Sequence, residues 1–368
     1  MTVYHNGTSA EANRNKSRMH QHAVTVVLAT HKDSEFLGLS VESVLAQKGI
    51  ELELIVVGDG APEDVESRLK AFKDKRIRYI TLPKGGLTKA LIAGCEAALN
   101  QYIARLDVGD FMLSGRVAKQ AEVLSRQPTV GLVSSNFAMY TAEGYYLYNT
   151  DYDTESLVTS LTQGNELQFR SPMHASVMFR KDLYFDVGGY RQEFYFAQDC
   201  DLWTRMLEHS GFRNLDEVLS GGIFDTSGIS GQYQTQQARF KKMVIELRDR
   251  RKQNNETESV LSVARKLSDE ISLIFSRQPK NAELDGQLNT SLLNKNTAAS
   301  DFFIARCLMS QDSKQAHHYW RRFLSHSSWD VKARLFYVLN LVRPIKSSNR
   351  SVDFKTLSFS DATIKGGD

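Results

Sequence analysis

Two aspartates follow an apolar stretch of this chain at a spacing that suits a divalent cation. Asp107 and Asp110 come directly after residues 102–106, an apolar, partly β-branched run typical of a buried strand. In open α/β sheets the ligand crevice lies at the carboxyl ends of the strands. Hard cations such as Mg²⁺ and Mn²⁺ prefer oxygen ligands and often share them with substrate phosphates. Since Asp and Gly also favour turns, these residues fit a structural turn about equally well.

The flanking sequence predicts the elements that would position these carboxylates. Apolar runs alternate with helical patterns, with strands over 23–29, 52–57, 76–81 and 102–106 and helices over 34–47, 63–72 and 87–99. This alternation is typical of a parallel, doubly wound sheet. Polar residues follow the strands, with Thr30 and His31 after the first and Asp59 after the second. Because parallel strands end at one edge of the sheet, we expect a nucleotide-type ligand along that edge.

Several motifs, in order, resemble those of the family 2 glycosyltransferases, which have the GT-A fold and use nucleotide sugars. The resemblance runs from about Val24 to Ser230, and the matching blocks are 25–31, 43–47, 53–60, 85–91, 102–110, 174–180, 187–190 and 198–203. The last of these, Gln198-Asp-Cys-Asp-Leu-Trp203, is similar to the family's Glu-Asp-x-Asp-Leu-Trp signature. We therefore expect an α/β chain with a GT-A-like, Rossmann-like, mostly parallel doubly wound sheet. An α-helical C-terminal region follows it.

The resemblance implies roles for the residues that match. Asp59 corresponds to the residue that reads the nucleotide base, and Thr30 and His31 lie in the nucleotide-binding turn after the first strand. Asp199 matches the position of the general base, although an Asp at a helix start also serves as an N-cap. His174 and Trp203 are the predicted residues on the acceptor side, with Trp203 packing against the site.

Two cationic side chains are candidates for contacting the donor diphosphate. Lys89 lies in the first turn of the helix after Gly85-Gly86, where a helix N-terminus favours anions. Arg105 precedes Asp107 by two residues and so points to the same face of the strand. The alternatives are a solvated surface lysine for the first and pairing with a core or edge carboxylate for the second.

The chain departs from the family pattern at positions that bear on the metal. Gly109 stands where the family has the middle Asp of its metal motif. Either Asp107 and Asp110 hold Mn²⁺ or Mg²⁺ between them, or metal binding is weak or lost. Gly58 replaces the first Asp of the base-reading block, and Asp225 stands where the family has a His.

The chain changes character after about residue 232. Helical patterns cover 236–251, 256–275, 301–309, 313–325 and 329–342, and a polar loop or linker is predicted over 281–296. These patterns divide the chain into a disordered segment 1–22, a GT-A domain 23–231, a helical region 232–345 and a disordered tail 346–368. The last helical stretch, 329–342, suits packing in a helical array, or else a surface helix on an anionic membrane.

Composition limits the other partners. The 368 residues carry a net charge of +3, which does not indicate nucleic acid. Three scattered cysteines fit a reducing compartment, and neither a signal peptide nor a transmembrane stretch is visible. We expect a cytoplasmic protein, with peripheral membrane contact if its acceptor is lipid-linked, or a protein partner for the C-terminal helices.

The leading hypothesis is an inverting glycosyltransferase. It would move a sugar from a nucleoside-diphosphate sugar to a hydroxyl of a glycan or lipid-linked acceptor, with Asp199 removing the hydroxyl proton. The resemblance implies bacterial polysaccharide or glycoconjugate biosynthesis as the setting. One alternative is a non-catalytic relative that binds a nucleotide or sugar and serves as a scaffold. A weaker one is a nucleotidyltransferase.

Overall fold

The computed structural model describes residues 23–226, 233–276, 286–311, 314–326, 351–354, 357 and 359. Nine strands lie within them: β1 Ala23–Thr30, β2 Glu51–Asp59, β3 Ile77–Leu82, β4 Tyr102–Asp107, β5 Asp110–Met112, β6 Val130–Tyr140, β7 Tyr146–Asn149, β8 Met178–Arg180 and β9 Gly211–Ile223. The helices of the sheet region are α1 Leu37–Leu45, α2 Glu63–Ala71, α3 Leu87–Ala97, α4 Arg116–Arg126, α5 Thr154–Gln163, α6 Lys181–Asp186 and α7 Gln198–Met206. The C-terminal helices are α8 Gln234–Lys252, α9 Glu258–Ser276, α10 Gly286–Ser310 and α11 Ala316–His326.

The nine strands form one mixed sheet in the order β3-β2-β1-β4-β8-β6-β9-β5, with β7 paired to β6. Strands β3, β2, β1 and β4 are parallel neighbours, and β9 is parallel to β6. Strand β8 is antiparallel to both β4 and β6, and β5 is antiparallel to β9. Strands β1 to β4, β6 and β9 therefore share one carboxyl edge. The predicted fold class, an α/β chain with a mostly parallel sheet followed by an α-helical C-terminal region, is confirmed.

Helices cover both faces of this sheet. Along β1, Val24, Val26 and Leu28 face one apolar cluster, and Val27 faces the other. This alternation is what a strand buried on both faces requires. The helical C-terminal region joins both clusters: α8 and α9 pack on the side of Val27, and α10 and α11 pack on the other side.

The C-terminal part of the chain differs from prediction in one element. The predicted loop over 281–296 is wrong from Gly286 onwards, because α10 begins there and continues to Ser310. Helix propensity is a weak guide that tertiary context often overrides, so polarity alone did not identify a loop. The predicted helix 329–342 and the predicted disordered segment 1–22 lie outside the described residues.

The boundaries of the four predicted segments remain a prediction. Within the tail predicted as disordered, Ser351 forms a β-bridge with Tyr145, and Phe359 is buried against the sheet. Among the helices that the structure describes, none combines the length and apolarity that a bilayer crossing requires.

Candidate active site

The carboxyl edge of the sheet brings the predicted nucleotide-binding residues side by side. In the strand register Thr30 lies opposite Gly58, and Asp107 lies opposite Ala29. The Asp59 carboxylate accepts the backbone N–H of Gly85 at 2.5 Å and that of Gly86 at 2.9 Å. Asp59 thus anchors the turn that starts α3, a role that the sequence did not indicate. Each carboxylate oxygen has a second lone pair that remains able to accept a bond from a ligand.

Cationic side chains gather around Asp59. His31 is exposed beside Lys32 and Lys84, and partial burial together with these two positive charges lowers the pKa of His31. Lys89 is also exposed in the first turn of α3. Lys32 and Lys84 were missed from the sequence, although each lies in a turn next to a predicted strand end. Lys32 and Lys84 therefore add positive charge to this edge of the sheet, beyond that of Lys89.

Two departures from the family pattern have local compensations. The hydroxyl of Tyr79 occupies the space that a β-carbon at Gly58 would need, so the first acidic position of the base-reading block is filled by an aromatic side chain from β3. Asp225, which follows β9, lies 4.0 Å from the ammonium of Lys32. The Asp225 carboxylate thus lies near the Lys32 ammonium, which belongs to the turn after β1.

Arg105 lies inside the sheet region. Its side chain is fully buried, and its Nη1 donates to the carbonyls of Val27 at 2.6 Å and Leu106 at 2.8 Å. Its Nη2 donates to Asp107, and its Nε donates to Nε2 of His174 at 3.2 Å. The alternative that the sequence allowed, pairing with a carboxylate, is therefore observed. A contact between Arg105 and a diphosphate remains a prediction.

Asp107 and Asp110 form an unequal carboxylate pair at the end of β4. Although partial burial opposes it, the Arg105 guanidinium holds the pKa of Asp107 below its ordinary value. Burial and the Asp107 charge raise the pKa of Asp110 well above its ordinary value. A like charge close by disfavours ionisation, and a bound cation would reverse that effect.

The donor set of this pair fits a divalent cation that is shared with a ligand. The side chain of Asp107 is 36% exposed, and only one of its oxygens bonds to Arg105. Within the described part of the chain, no three His, Cys, Asp or Glu side chains converge on one point. Two carboxylates with the remaining positions left to phosphate and water suit Mg²⁺ or Mn²⁺ better than an all-protein cage does. Asp107 and Asp110 are thus the residues that could hold a metal here.

The backbone of this motif is held by α1. The hydroxyl of Ser40 donates to the carbonyl of Asp110 at 2.7 Å and accepts the N–H of Gly109 at 3.0 Å. Gly109 has φ +97°, a conformation that an Asp side chain would adopt only with strain. The replacement of the middle Asp by Gly therefore goes with a left-handed turn between the two carboxylates.

Gly222 makes the room that Asp110 occupies. A β-carbon at Gly222 of β9 would overlap Oδ1 of Asp110 and lie 2.7 Å from the Phe137 ring. We expect Gly222→Ala to lower the free energy of unfolding by about 1–3 kcal/mol, because overpacking forces side chains off their rotamers. Urea unfolding measures the change. Gly38→Ala in α1, where a β-carbon meets no heavy atom within 4 Å, is the control, and equal midpoints for the two variants would contradict the expectation.

His174 lies close to two carboxylates, those of Asp107 and Asp199. It precedes β8, whose amino end meets the carboxyl end of β4 because the two strands are antiparallel. Its Nε2 receives the Arg105 N–H and lies 2.8 Å from the Tyr190 hydroxyl, so the ring proton is assigned to Nδ1. Burial and the Arg105 charge lower the pKa of His174 to about 4, against the opposing charges of Asp199 and Asp107. The imidazole is neutral at pH 7.

The low pKa of His174 makes stability depend on pH. Between pH 6.5 and about 4 the unfolded chain binds a proton at this residue and the folded chain does not. Stability should therefore fall as pH falls through this window, by at most about 3 kcal/mol. We expect His174→Gln, which can still accept the Arg105 N–H, to flatten this part of the profile in urea unfolding between pH 4 and 7. The exposed His209→Gln should leave it unchanged, and identical profiles for wild type and His174→Gln would contradict the assignment.

Asp199 is half-buried in the first turn of α7, close enough to His174 for its charge to act on the pKa of that residue. The N-cap of α7 is Ala197, with φ +56°, so Asp199 is not the cap. A left-handed alanine next to a candidate base is the kind of local strain that clusters at functional sites.

Two further residues of the block 198–203, Asp201 and Trp203, lie in the core. Asp201 is fully buried and pairs with Arg205 at 2.6 Å and Arg191 at 3.4 Å. Trp203 is also fully buried, with its ring centroid 5.9 Å from that of His174. The side chain of Trp203 has no exposed surface here and packs against His174. The acceptor contacts of Trp203 and of the partly exposed His174 remain predictions.

Comparison with known proteins agrees with the motifs placed at this edge. Residues 25–184 match the family model described as Glycosyl transferase family 2. The O-antigen biosynthesis glycosyltransferase WbnJ of Escherichia coli is 27% identical over 203 residues, which cover 53% of this chain and 77% of the relative. The amylovoran biosynthesis glycosyltransferase AmsE of Erwinia amylovora is 28% identical over 209 residues, or 54% of this chain and 74% of the relative. Against an uncharacterized glycosyltransferase of Rickettsia felis, at 22% identity, the chain spans only 33% of the relative's length.

Among solved structures, the mannosyltransferase PcManGT from Pyrobaculum calidifontis, in complex with GDP-Man and Mn²⁺, has a TM-score of 0.48 at 14% identity. The similarity covers 86% of this chain and 84% of that chain. The sequence match contains Thr30, Asp59, Asp107, Asp110 and His174, which the sheet brings to one edge. Residues 25–184 of the chain are thus similar to the family 2 glycosyltransferases.

Proposed function

We propose that the protein transfers a hexose from a nucleoside-diphosphate sugar to a hydroxyl of a glycan or lipid-linked acceptor, with inversion at the anomeric carbon. The observation that carries this proposal is the carboxyl edge of the sheet, where Asp59 bonds to the turn that starts α3 and Arg105 bonds to Asp107. Asp199 lies close enough to His174 to act on its pKa, as Asp107 does. The names of WbnJ and AmsE support a role in bacterial polysaccharide biosynthesis.

The proposed reaction is a single displacement. The acceptor hydroxyl gives its proton to Asp199 as its oxygen attacks the anomeric carbon, and the bond to the diphosphate breaks on the opposite face. One direct displacement inverts the configuration. Lys32, Lys84 and Lys89 would bind the negative charge that develops on the leaving group.

A divalent cation fits the same scheme. Asp107 and Asp110 would hold it, and when bound it would neutralise charge on the diphosphate. Arg105 keeps Asp107 ionised and oriented for that purpose, since it donates to one carboxylate oxygen and leaves the other free. His174 takes no proton at neutral pH and instead connects Arg105 to Tyr190.

We also propose the division of the chain into a catalytic domain, 23–231, and a helical region, 232–345. The C-terminal helices would provide any contact with a protein partner or with the inner face of the plasma membrane. The proposed setting is the cytoplasm.

The test of this function is release of nucleoside diphosphate from a panel of nucleotide sugars, with and without glycan and lipid-linked acceptors. We expect one donor to be consumed, faster with a suitable acceptor, and NMR of the product to give an inverted anomeric configuration. A retained configuration would overturn the single displacement. Consumption of no donor, combined with nucleotide binding, would favour the non-catalytic scaffold.

A further inference from the structure

Residues near the C-terminus pack on the sheet behind the Asp107–Asp110 motif. We define the C-terminal segment as the described residues 351–354, 357 and 359. The N–H of Val352 donates to the carbonyl of Gly144 at 2.9 Å, and Ser351 bridges Tyr145. Gly144 has φ +85°, and a β-carbon there would overlap the carbonyl oxygen of Val352. The loop before β7 is thus shaped to receive this segment closely.

Two phenylalanines of the C-terminal segment enter an aromatic cluster. The ring centroid of Phe354 lies 5.9 Å from Phe111, 6.0 Å from Tyr140 and 6.4 Å from Phe36. Phe359 lies 5.9 Å from Phe111 and is 5% exposed. These separations are those of offset and edge-to-face ring contacts. Phe111 therefore has a partner on the C-terminal segment as well as on β6.

The cluster touches the two elements that determine the geometry of the motif. Phe111 directly follows Asp110 on β5, so its side chain faces away from the carboxylate. Phe36 is the N-cap residue of α1, the helix whose Ser40 bonds to Gly109 and Asp110. Ser43 of the same helix accepts the N–H of Met112 at 3.0 Å. Because the Phe354 ring packs against both Phe36 and Phe111, it contacts both α1 and β5.

We infer that Phe354 is a positioning residue, which holds α1 against β5 and so fixes the backbone that carries Asp107 and Asp110. Phe354 acts through Phe36 and Phe111. The inference stands on backbone and ring contacts, and it goes beyond the proposed function because it assigns a role to the C-terminus.

Hydrogen exchange tests this role in the full-length protein. In Phe354→Ala we expect the amides of Gly109 and Met112, which bond to Ser40 and Ser43, to exchange about tenfold faster, because α1 and β5 can separate locally. The amides of β1 and β2 should keep their protection. Phe185→Ala, which truncates a phenylalanine that is 47% exposed on α6, is the matched control and should change neither set. Phe354→Leu keeps an apolar side chain and serves if the alanine variant does not fold.

Two results would overturn the inference: unchanged exchange at Gly109 and Met112, or an equal rise throughout the sheet, which indicates only global destabilisation. Calorimetric titration with Mn²⁺ alone adds a second readout. A weaker apparent affinity in Phe354→Ala than in Phe185→Ala supports positioning, and equal affinity contradicts it. If wild type does not bind Mn²⁺, the proposed metal site fails, while the exchange rates still decide the role of Phe354.

Discussion

Replacing Asp199 by asparagine is expected to lower the rate of sugar transfer by about 10²- to 10⁴-fold, the contribution of a positioned general base. Asparagine has nearly the same shape but cannot take the acceptor proton. Nucleotide affinity should be nearly unchanged, because Asp199 is proposed to act on the acceptor hydroxyl and not on the diphosphate. Steady-state kinetics with the identified donor, together with calorimetry on the nucleotide, separates the two effects.

The control for this variant is Asp186→Asn, an exposed aspartate at the end of α6. It changes the net charge equally and should retain wild-type kinetics. If Asp199→Asn also retains them, another group removes the proton. Asp201 is a poor candidate for that group because both its oxygens already bond to arginines in the core.

The second large effect is expected at Arg105. Arg105→Met should lower the free energy of unfolding by about 3–5 kcal/mol, since it removes one partner of a buried charge network and leaves the carbonyls of Val27 and Leu106 without their donor. It should also raise the pKa of Asp107, which the guanidinium now holds down. Denaturant unfolding measures the first effect, and carboxyl chemical shifts measure the second.

Two further variants sharpen this expectation. Arg105→Lys keeps the charge, but one ammonium cannot make the divergent contacts of a guanidinium, so most of the stability loss should persist. Arg126→Met removes an arginine whose side chain is 77% exposed and should cost under about 1 kcal/mol. An Arg105→Met protein as stable as Arg126→Met would refute the positioning role.

The central sheet and its candidate functional edge could be predicted from the sequence because the patterns that indicate them are local. Short apolar runs rich in Val and Ile indicate buried strands, and the residues that follow parallel strands lie at one edge of the sheet. Asp107 and Asp110 were placed correctly by the same logic. The chain positions of Asp59 and His174 at strand ends followed as well.

Other features of the site depend on contacts between distant parts of the chain. Arg105 follows the strand period toward Asp107, but its burial depends on His174 and on β1, which no local pattern reveals. The full burial of Trp203 depends on the packing of α7 into the core. The space at Gly58 is filled by Tyr79 from another strand. The contact between Phe354 and Phe36 spans most of the chain, so only the folded structure brings it out.

Calorimetric titration of the protein with UDP, GDP, CDP and dTDP, each with and without Mn²⁺, tests whether the carboxyl edge of the sheet binds a nucleoside diphosphate and a metal. We expect that one nucleotide binds, that Mn²⁺ strengthens its binding, and that Asp107→Ala abolishes this strengthening. Binding that ignores Mn²⁺ would move the diphosphate contact to the lysines around Asp59. Absence of binding for all four nucleotides would contradict the account.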